Sequence, residues 1–310
     1  MNNEQMISEI KRIKEKEHVL ILAHYYQNSD IQQLADYVGD SYQLSVIAKN
    51  TSAKTIIFCG VHFMAESAKL LSPEKEVYLP VKNAGCYMAE TITYDKLKSF
   101  KDTHPEYKIV GYVNTSAKVK SLCDVCVTSA NALKILANYQ NDKVMYIPDQ
   151  NLARYANSLN PHHQIEYWDG CCSIHHHLTS KMVENMKELH PEAEVIIHPE
   201  AKLEVLALAD FVGSTKGMIE YVKKSSAPAF IVGTEAGILF ELRKENPHKQ
   251  FYLLSPTLKC HSMKMTTIED VYKTITKDST GRYLKIVISE EIAQKARAAL
   301  DKMLELSKKE

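Results

Sequence analysis

One spacing pattern recurs three times in these 310 residues, and it limits the possible folds more than any other feature of the chain. Asp36, Asp124 and Asp210 each precede a short apolar step, in YVGDS, VCVTS and FVGST. Twelve residues upstream of these aspartates stand His24, Tyr112 and His198, and ten upstream stand Tyr26, Asn114 and Glu200. Five residues downstream come Ser41, Ser129 and Thr215. Cys86, Cys172 and Cys260 follow at 50, 48 and 50 residues. Polar positions repeating at nearly constant offsets mark a chain built from three copies of one supersecondary unit.

The local pattern gives the content of each copy. Runs such as HVLILAHYY, TIIFCGVH, KIVGYVN and AEVIIHPE read as strands, and segments such as QQLADYVG, FMAESAKLL, LEVLALAD and ILFELRKEN read as helices between them. Alternation of this kind predicts an α/β fold with parallel sheets covered on both faces. The expected organisation is three similar α/β/α units around a pseudo-three-fold axis. They span residues 1–88, with the C-terminal segment 263–310 packing back onto this unit, residues 89–174 and residues 175–262.

Composition narrows the function. Apolar residues make up 45% and charged residues 25%, which suits a chain that buries a core and excludes disordered and fibrous classes. Lys+Arg and Asp+Glu balance at 38 each. No diffuse electrostatic footprint for nucleic acid or an anionic membrane is therefore expected. No apolar run approaches the ~20 residues of a spanning helix, and MNNEQMISEIKRIKEKE lacks the apolar centre of a signal peptide, so a cytoplasmic location is expected. Seven cysteines, an odd number without an export signal, point to ligands, nucleophiles or core residues rather than disulfides.

The repeat also places the polar groups. In parallel α/β sheets, ligands bind beyond the carboxyl ends of the strands. His24, Tyr26, Tyr112, Asn114, His198 and Glu200 all fall at strand exits. Ser41, Ser129 and Thr215 open helical patterns, as N-caps or one residue inside, where free N–H groups and the helix dipole favour anions. Units facing one another about an approximate three-fold axis would bring these groups, with the three cysteines, to one pocket. Three thiolates suit two chemistries: catalytic zinc with one open position, or a [4Fe–4S] cluster one ligand short of the usual four cysteines. Cys171 adjoins Cys172, and register alone leaves the choice between them open. His198, Glu200 and His175 are candidates for proton transfer, and Tyr26 and Tyr112 for hydrogen bonds to a developing oxyanion. Cys123-x-x-Cys126 has no partner pair at zinc-ribbon spacing, and neither GxGxxG nor GxxxxGK[ST] occurs.

These residues resemble the quinolinate synthase A family of bacterial and archaeal NAD biosynthesis. The resemblance rests on HYYQ (24–27), YVGDS (37–41), FCGVHFMAESAK (58–69), AGCYMAE around Cys86 and YVNTSAKVK (112–120). It continues through TSANA (128–132), PDQNLARY (148–155), WDGCCSIH around Cys172, HPEAKLEV (198–205), GSTKGM (213–218) and CHSMKMTTIE from Cys260. It implies three related α/β units and an oxygen-sensitive [4Fe–4S] cluster held by Cys86, Cys172 and Cys260, with one open iron. The family pattern W-x-G-x-C-x-x-H falls on Trp168, Gly170, Cys172 and His175, which assigns the ligand to Cys172. Ser173 and Ala201 depart from the family's usual Pro and Cys, and neither is a ligand.

The implied reaction condenses iminoaspartate with dihydroxyacetone phosphate, releasing phosphate and water and giving quinolinate. On that reading Tyr26, Glu200, His198 and His175 handle protons, and His24, Ser41, Tyr112, Asn114, Ser129 and Thr215 bind substrate together with His198 and Glu200. An L-aspartate oxidase or dehydrogenase is the expected upstream partner, because iminoaspartate is unstable in water. Two other classes remain: a zinc enzyme acting on a phosphorylated or dicarboxylic metabolite, and a non-catalytic iron–sulfur sensor. The sensor accounts for the cysteines but not for the strand-exit histidines, tyrosines and Glu200.

Overall fold

The structure, a computed structural model, describes residues 1–163 and 165–308. Each repeat builds one four-stranded parallel sheet. The first holds β1 (Val19–His24), β2 (Tyr37–Gly39), β3 (Thr55–Cys59) and β4 (Glu76–Leu79). The second holds β5 (Tyr107–Tyr112), β6 (Val125–Val127), β7 (Lys143–Ile147) and β8 (Ile165–Tyr167). The third holds β9 (Glu194–Ile197), β10 (Phe211–Val212), β11 (Ala229–Gly233) and β12 (Gln250–Leu253). Strand order is the same in all three: β2-β1-β3-β4, β6-β5-β7-β8 and β10-β9-β11-β12. One further strand, β13 (Leu284–Lys285), joins the first sheet antiparallel to β4. Three α/β/α units with parallel sheets are therefore what the alternation predicted.

The recurring aspartates explain the register. Asp36 Oδ2 accepts the Ile21 N–H at 2.8 Å while its own N–H donates to Ile21 O at 2.9 Å. Asp124 does the same with Ile109 at 2.7 and 2.9 Å, and Asp210 with Val195 at 2.7 and 2.8 Å. Each staple fixes the chain beside the first strand of its unit. A short edge strand then starts at once. QQLADYVG, expected as one helix, accordingly divides into the helix Ser29–Leu34 and β2, and the helix in LEVLALAD stops at Leu206 before β10.

Side-chain alternation along the strands separates two apolar layers. Leu20, Leu22, Ile56 and Phe58 enter a core shared with Val110, Val125 and Val144 of the second unit. Val19, Ile21, Ala23 and Ile57 face the other way, under Met6, Ile10 and Ile13 of the N-terminal helix Asn3–Glu17 and Ile268, Val271 and Ile275 of the helix Ile268–Ile275. The last helix, Glu290–Lys308, buries Ala296, Leu300 and Met303 in the core that joins the first two units.

Candidate active site

At the meeting point of the three sheets lies a cavity of about 290 Å³. Of the seven cysteines, Cys86, Cys172 and Cys260 line it; Cys59, Cys123, Cys126 and Cys171 do not. The three share one local structure. Each is the extended residue immediately before a four-residue helix: Tyr87–Glu90, Ser173–His176 and His261–Lys264. Burial pushes the Cys86 thiol up to about 12, and the backbone amides of Met88 and Ala89 act in the opposite sense. Cys172 and Cys260 are likewise raised by burial and opposed by the amides two and three residues on. Three half-buried thiols that resist ionisation alone suit a cationic metal centre, whose charge reverses that preference. The donor set fits a metal ion or cluster. Cys172, His175 and Glu200 in addition offer sulfur, nitrogen and oxygen atoms within 4.8 Å of one another.

Every strand-exit residue named from the sequence lines the same cavity. His24 and Tyr26 come from the first unit, Tyr112 and Asn114 from the second, and His198 and Glu200 from the third. His24 Nδ1 accepts the Tyr26 N–H at 3.1 Å, and His198 Nδ1 accepts the Glu200 N–H at 3.3 Å. Both neutral rings are thereby set with the proton on Nε2. Burial pushes each of these histidines down to about 3, with neighbouring imidazoles adding to the effect. Burial alone would raise Glu200, but His198, His175 and the Tyr112 hydroxyl outweigh it and hold the carboxylate well below its usual range.

One run of hydrogen bonds crosses all three units and ends on that carboxylate. The Thr215 hydroxyl donates to Tyr26 Oη at 3.1 Å, and Tyr26 Oη lies 2.6 Å from Thr234 Oγ1. Thr234 Oγ1 is 2.9 Å from His175 Nε2, and His175 Nδ1 is 2.8 Å from Glu200 Oε2. From the far side, the Tyr112 hydroxyl donates to Glu200 Oε1 at 2.7 Å. His175 is also 3.2 Å from Cys172 Sγ and stacks on His198 with ring centroids 4.7 Å apart. Burial, and then the charge of Glu200, raises Tyr26 and Tyr112 well above the ordinary phenol value, so both remain donors.

Of the two placements expected at the helix N-termini, cap or one residue inside, Ser41 and Thr215 take the second and Ser129 takes neither. Ser41 and Thr215 line the cavity but do not cap their helices. Asp40 caps Ser41–Asn50 by accepting the Gln43 N–H at 2.9 Å, and Ser214 caps Thr215–Lys224 by accepting the Gly217 N–H at 3.1 Å. The two hydroxyls sit one residue inside and are free of capping duty. Ser129 also lines the cavity, yet it precedes by three residues a helix of only five, Ala132–Leu136. The Asn131 side-chain Oδ1 there accepts the Thr128 N–H instead, which tightens a turn ahead of the helix.

Several residues of the site escaped sequence reasoning. Thr234, the link between Tyr26 and His175, has no counterpart at the repeat spacing. Asp149 and Glu235 each stand 25 residues after an anchor aspartate, but Val61 fills the position in the first unit, which hides the pattern. Lys259 and His261 flank Cys260 and line the cavity from its exposed side. Among the described residues no helix is long and apolar enough to cross a membrane.

Comparison with known proteins agrees with this geometry. The family model described as "Quinolinate synthetase A protein" matches residues 8–305. A protein of Alkaliphilus metalliredigens named quinolinate synthase is 46% identical over 306 residues, covering 99% of this chain and all of the relative. One of the same name from Caldicellulosiruptor saccharolyticus is 46% identical over 307 residues, again 99% of this chain and all of the relative. Another from Clostridioides difficile is 43% identical over 299 residues, covering 96% and 97%. With matches that run nearly end to end, and with the repeat, sheets and cavity in agreement, the chain belongs to the quinolinate synthetase A family.

Proposed function

We propose that the protein condenses iminoaspartate with dihydroxyacetone phosphate to give quinolinate, phosphate and water, using a [4Fe–4S] cluster held by Cys86, Cys172 and Cys260. The observation that carries this reading is the equivalence of the three cysteines: one from each unit, each opening a four-residue helix, all on one cavity. When bound, such a cluster with one iron free of thiolate supplies a Lewis acid for an oxygen that must leave. The protein's own groups supply the rest. Ser41 and Thr215, at the starts of ten-residue helices, and Ser129 and Asn114 bind the carboxylates and the phosphate. His24 and His198, neutral with Nε2–H toward the cavity, donate to a carboxylate without adding positive charge. Glu200, ionised and held by His175 and Tyr112, takes a proton during enolisation or imine formation, and Tyr26 gives one to the substrate and regains it from Glu200 through His175 and Thr234.

Zinc is the second reading, favoured by the sulfur, nitrogen and oxygen donors of Cys172, His175 and Glu200. Metal and sulfide analysis of anaerobically purified protein, with absorbance near 400 nm and an assay for quinolinate, separates the two. About four irons and four sulfides per chain and quinolinate from the two substrates are expected for a [4Fe–4S] enzyme. One zinc, no sulfide and no quinolinate would overturn the proposal.

A further inference from the structure

Two buried carboxylates behind the cysteines have no role in the chemistry above. Glu235, wholly buried just beyond β11, accepts the Cys260 N–H on Oε1 at 3.1 Å and the Gly237 N–H on Oε2 at 2.6 Å. Asp149, wholly buried just beyond β7, accepts the Cys172 N–H on Oδ2 at 3.3 Å and the Leu152 N–H on Oδ1 at 2.7 Å. The two occupy the same repeat position, so one device occurs twice. In the first unit that position is Val61, whose side chain accepts nothing.

We propose that Asp149 and Glu235 are positioning residues that clamp the backbone of Cys172 and Cys260 so that their sulfurs face the metal site, and that the Glu235 clamp extends to Tyr26. This rests on the reading of the three cysteines as metal ligands. The extension runs through Lys264, at the end of the short helix that Cys260 opens. Its ammonium lies 3.1 Å from Glu235 Oε1 and donates to Tyr26 O at 2.6 Å. Close approach of the two segments depends on Gly237, because a Cβ there would lie 2.7 Å from both Tyr25 O and Tyr26 Cα. Glu235 thus fixes one ligand of the third unit and, through Lys264, the backbone of Tyr26 in the first unit.

Iron release to the iron(II) chelator bathophenanthroline disulfonate from anaerobic holoenzyme tests this, with far-UV circular dichroism as the check on folding. Removing a partner that orients a metal ligand typically costs about 10–100-fold in metal affinity. Glu235→Met and Asp149→Leu are therefore expected to release iron about 10–100-fold faster than the parent while remaining folded. Glu235→Gln, whose amide oxygen can still accept from Cys260, should release iron near the parent rate. If Glu235→Met fails to fold, Glu235→Met/Lys264→Met leaves no charge unpaired and carries the same expectation. Parent-like release from the folded Glu235 and Asp149 variants would overturn the proposal. A parent protein that holds no iron would instead overturn the reading of the cysteines as its ligands.

Discussion

Glu200 is the point where the cavity's hydrogen bonds converge, with Tyr112 on one oxygen and His175 on the other. As the proposed proton acceptor, it should be needed for turnover and not for the metal site. Glu200→Gln keeps the shape and removes the charge; kcat should fall by about 10²–10⁴ with iron content unchanged. Equal activity would remove Glu200 from the chemistry. His24 makes a separate prediction about pH. Its ordinary value is near 6.5 and its folded value is about 3, so the unfolded chain binds the extra proton between those limits. Stability is therefore full above pH 6.5 and is lost as pH falls toward 3. One such group contributes a slope of up to about 1.4 kcal/mol per pH unit. Urea unfolding of His24→Gln at pH 7 and pH 5 should show a smaller loss on acidification than the parent. Parallel losses in the two proteins would contradict the account of its burial.

At the scale of elements, the anchor aspartates and the helix starts separate stability from binding. Asp36, Asp124 and Asp210 each hold a backbone N–H of the first strand in their unit, and hydrogen bonds to charged groups are worth about 1.5–3 kcal/mol. Each Asp→Ala variant should lose about 1–2 kcal/mol, lowered for partial exposure, by similar amounts at the three sites. A large effect at only one of them would break the equivalence of the staples. At the helix starts, Asp40→Ala should cost about 1 kcal/mol as a lost cap. Ser41→Ala and Thr215→Ala should leave the melting temperature nearly unchanged and weaken quinolinate binding about 10–100-fold, as loss of a hydrogen bond to a charged group would. These starts also mark what the sequence withheld. The offsets located Ser41 and Thr215 correctly on the cavity, but Asp40 and Ser214 compete for the cap one residue earlier, and spacing does not rank neighbouring cap formers. Edge strands β2, β6 and β10 run for only two or three residues, too few for alternation to register. What creates them is a staple to a strand fifteen residues back, a tertiary contact rather than a local propensity.

Across the whole molecule, the three-fold spacing was legible because each unit contributes the same four positions to the same place. Departures from that symmetry were not. Thr234 joins Tyr26 to His175 without a counterpart elsewhere, and Val61 breaks the pattern that would have exposed Asp149 and Glu235. The C-terminal segment adds β13 to the first sheet and then lays Leu300 and Met303 into the core between the first two units. Each unit thus gives the cavity one wall and one cysteine, and the central claim is that these three thiols act as one metal site. Iron and sulfide content of seven single Cys→Ala variants, purified anaerobically, tests it most directly. The account predicts that Cys86→Ala, Cys172→Ala and Cys260→Ala each lose the cluster, while Cys59→Ala, Cys123→Ala, Cys126→Ala and Cys171→Ala keep it. Retention of full iron in any of the first three, or its loss in Cys171→Ala with retention in Cys172→Ala, would contradict it.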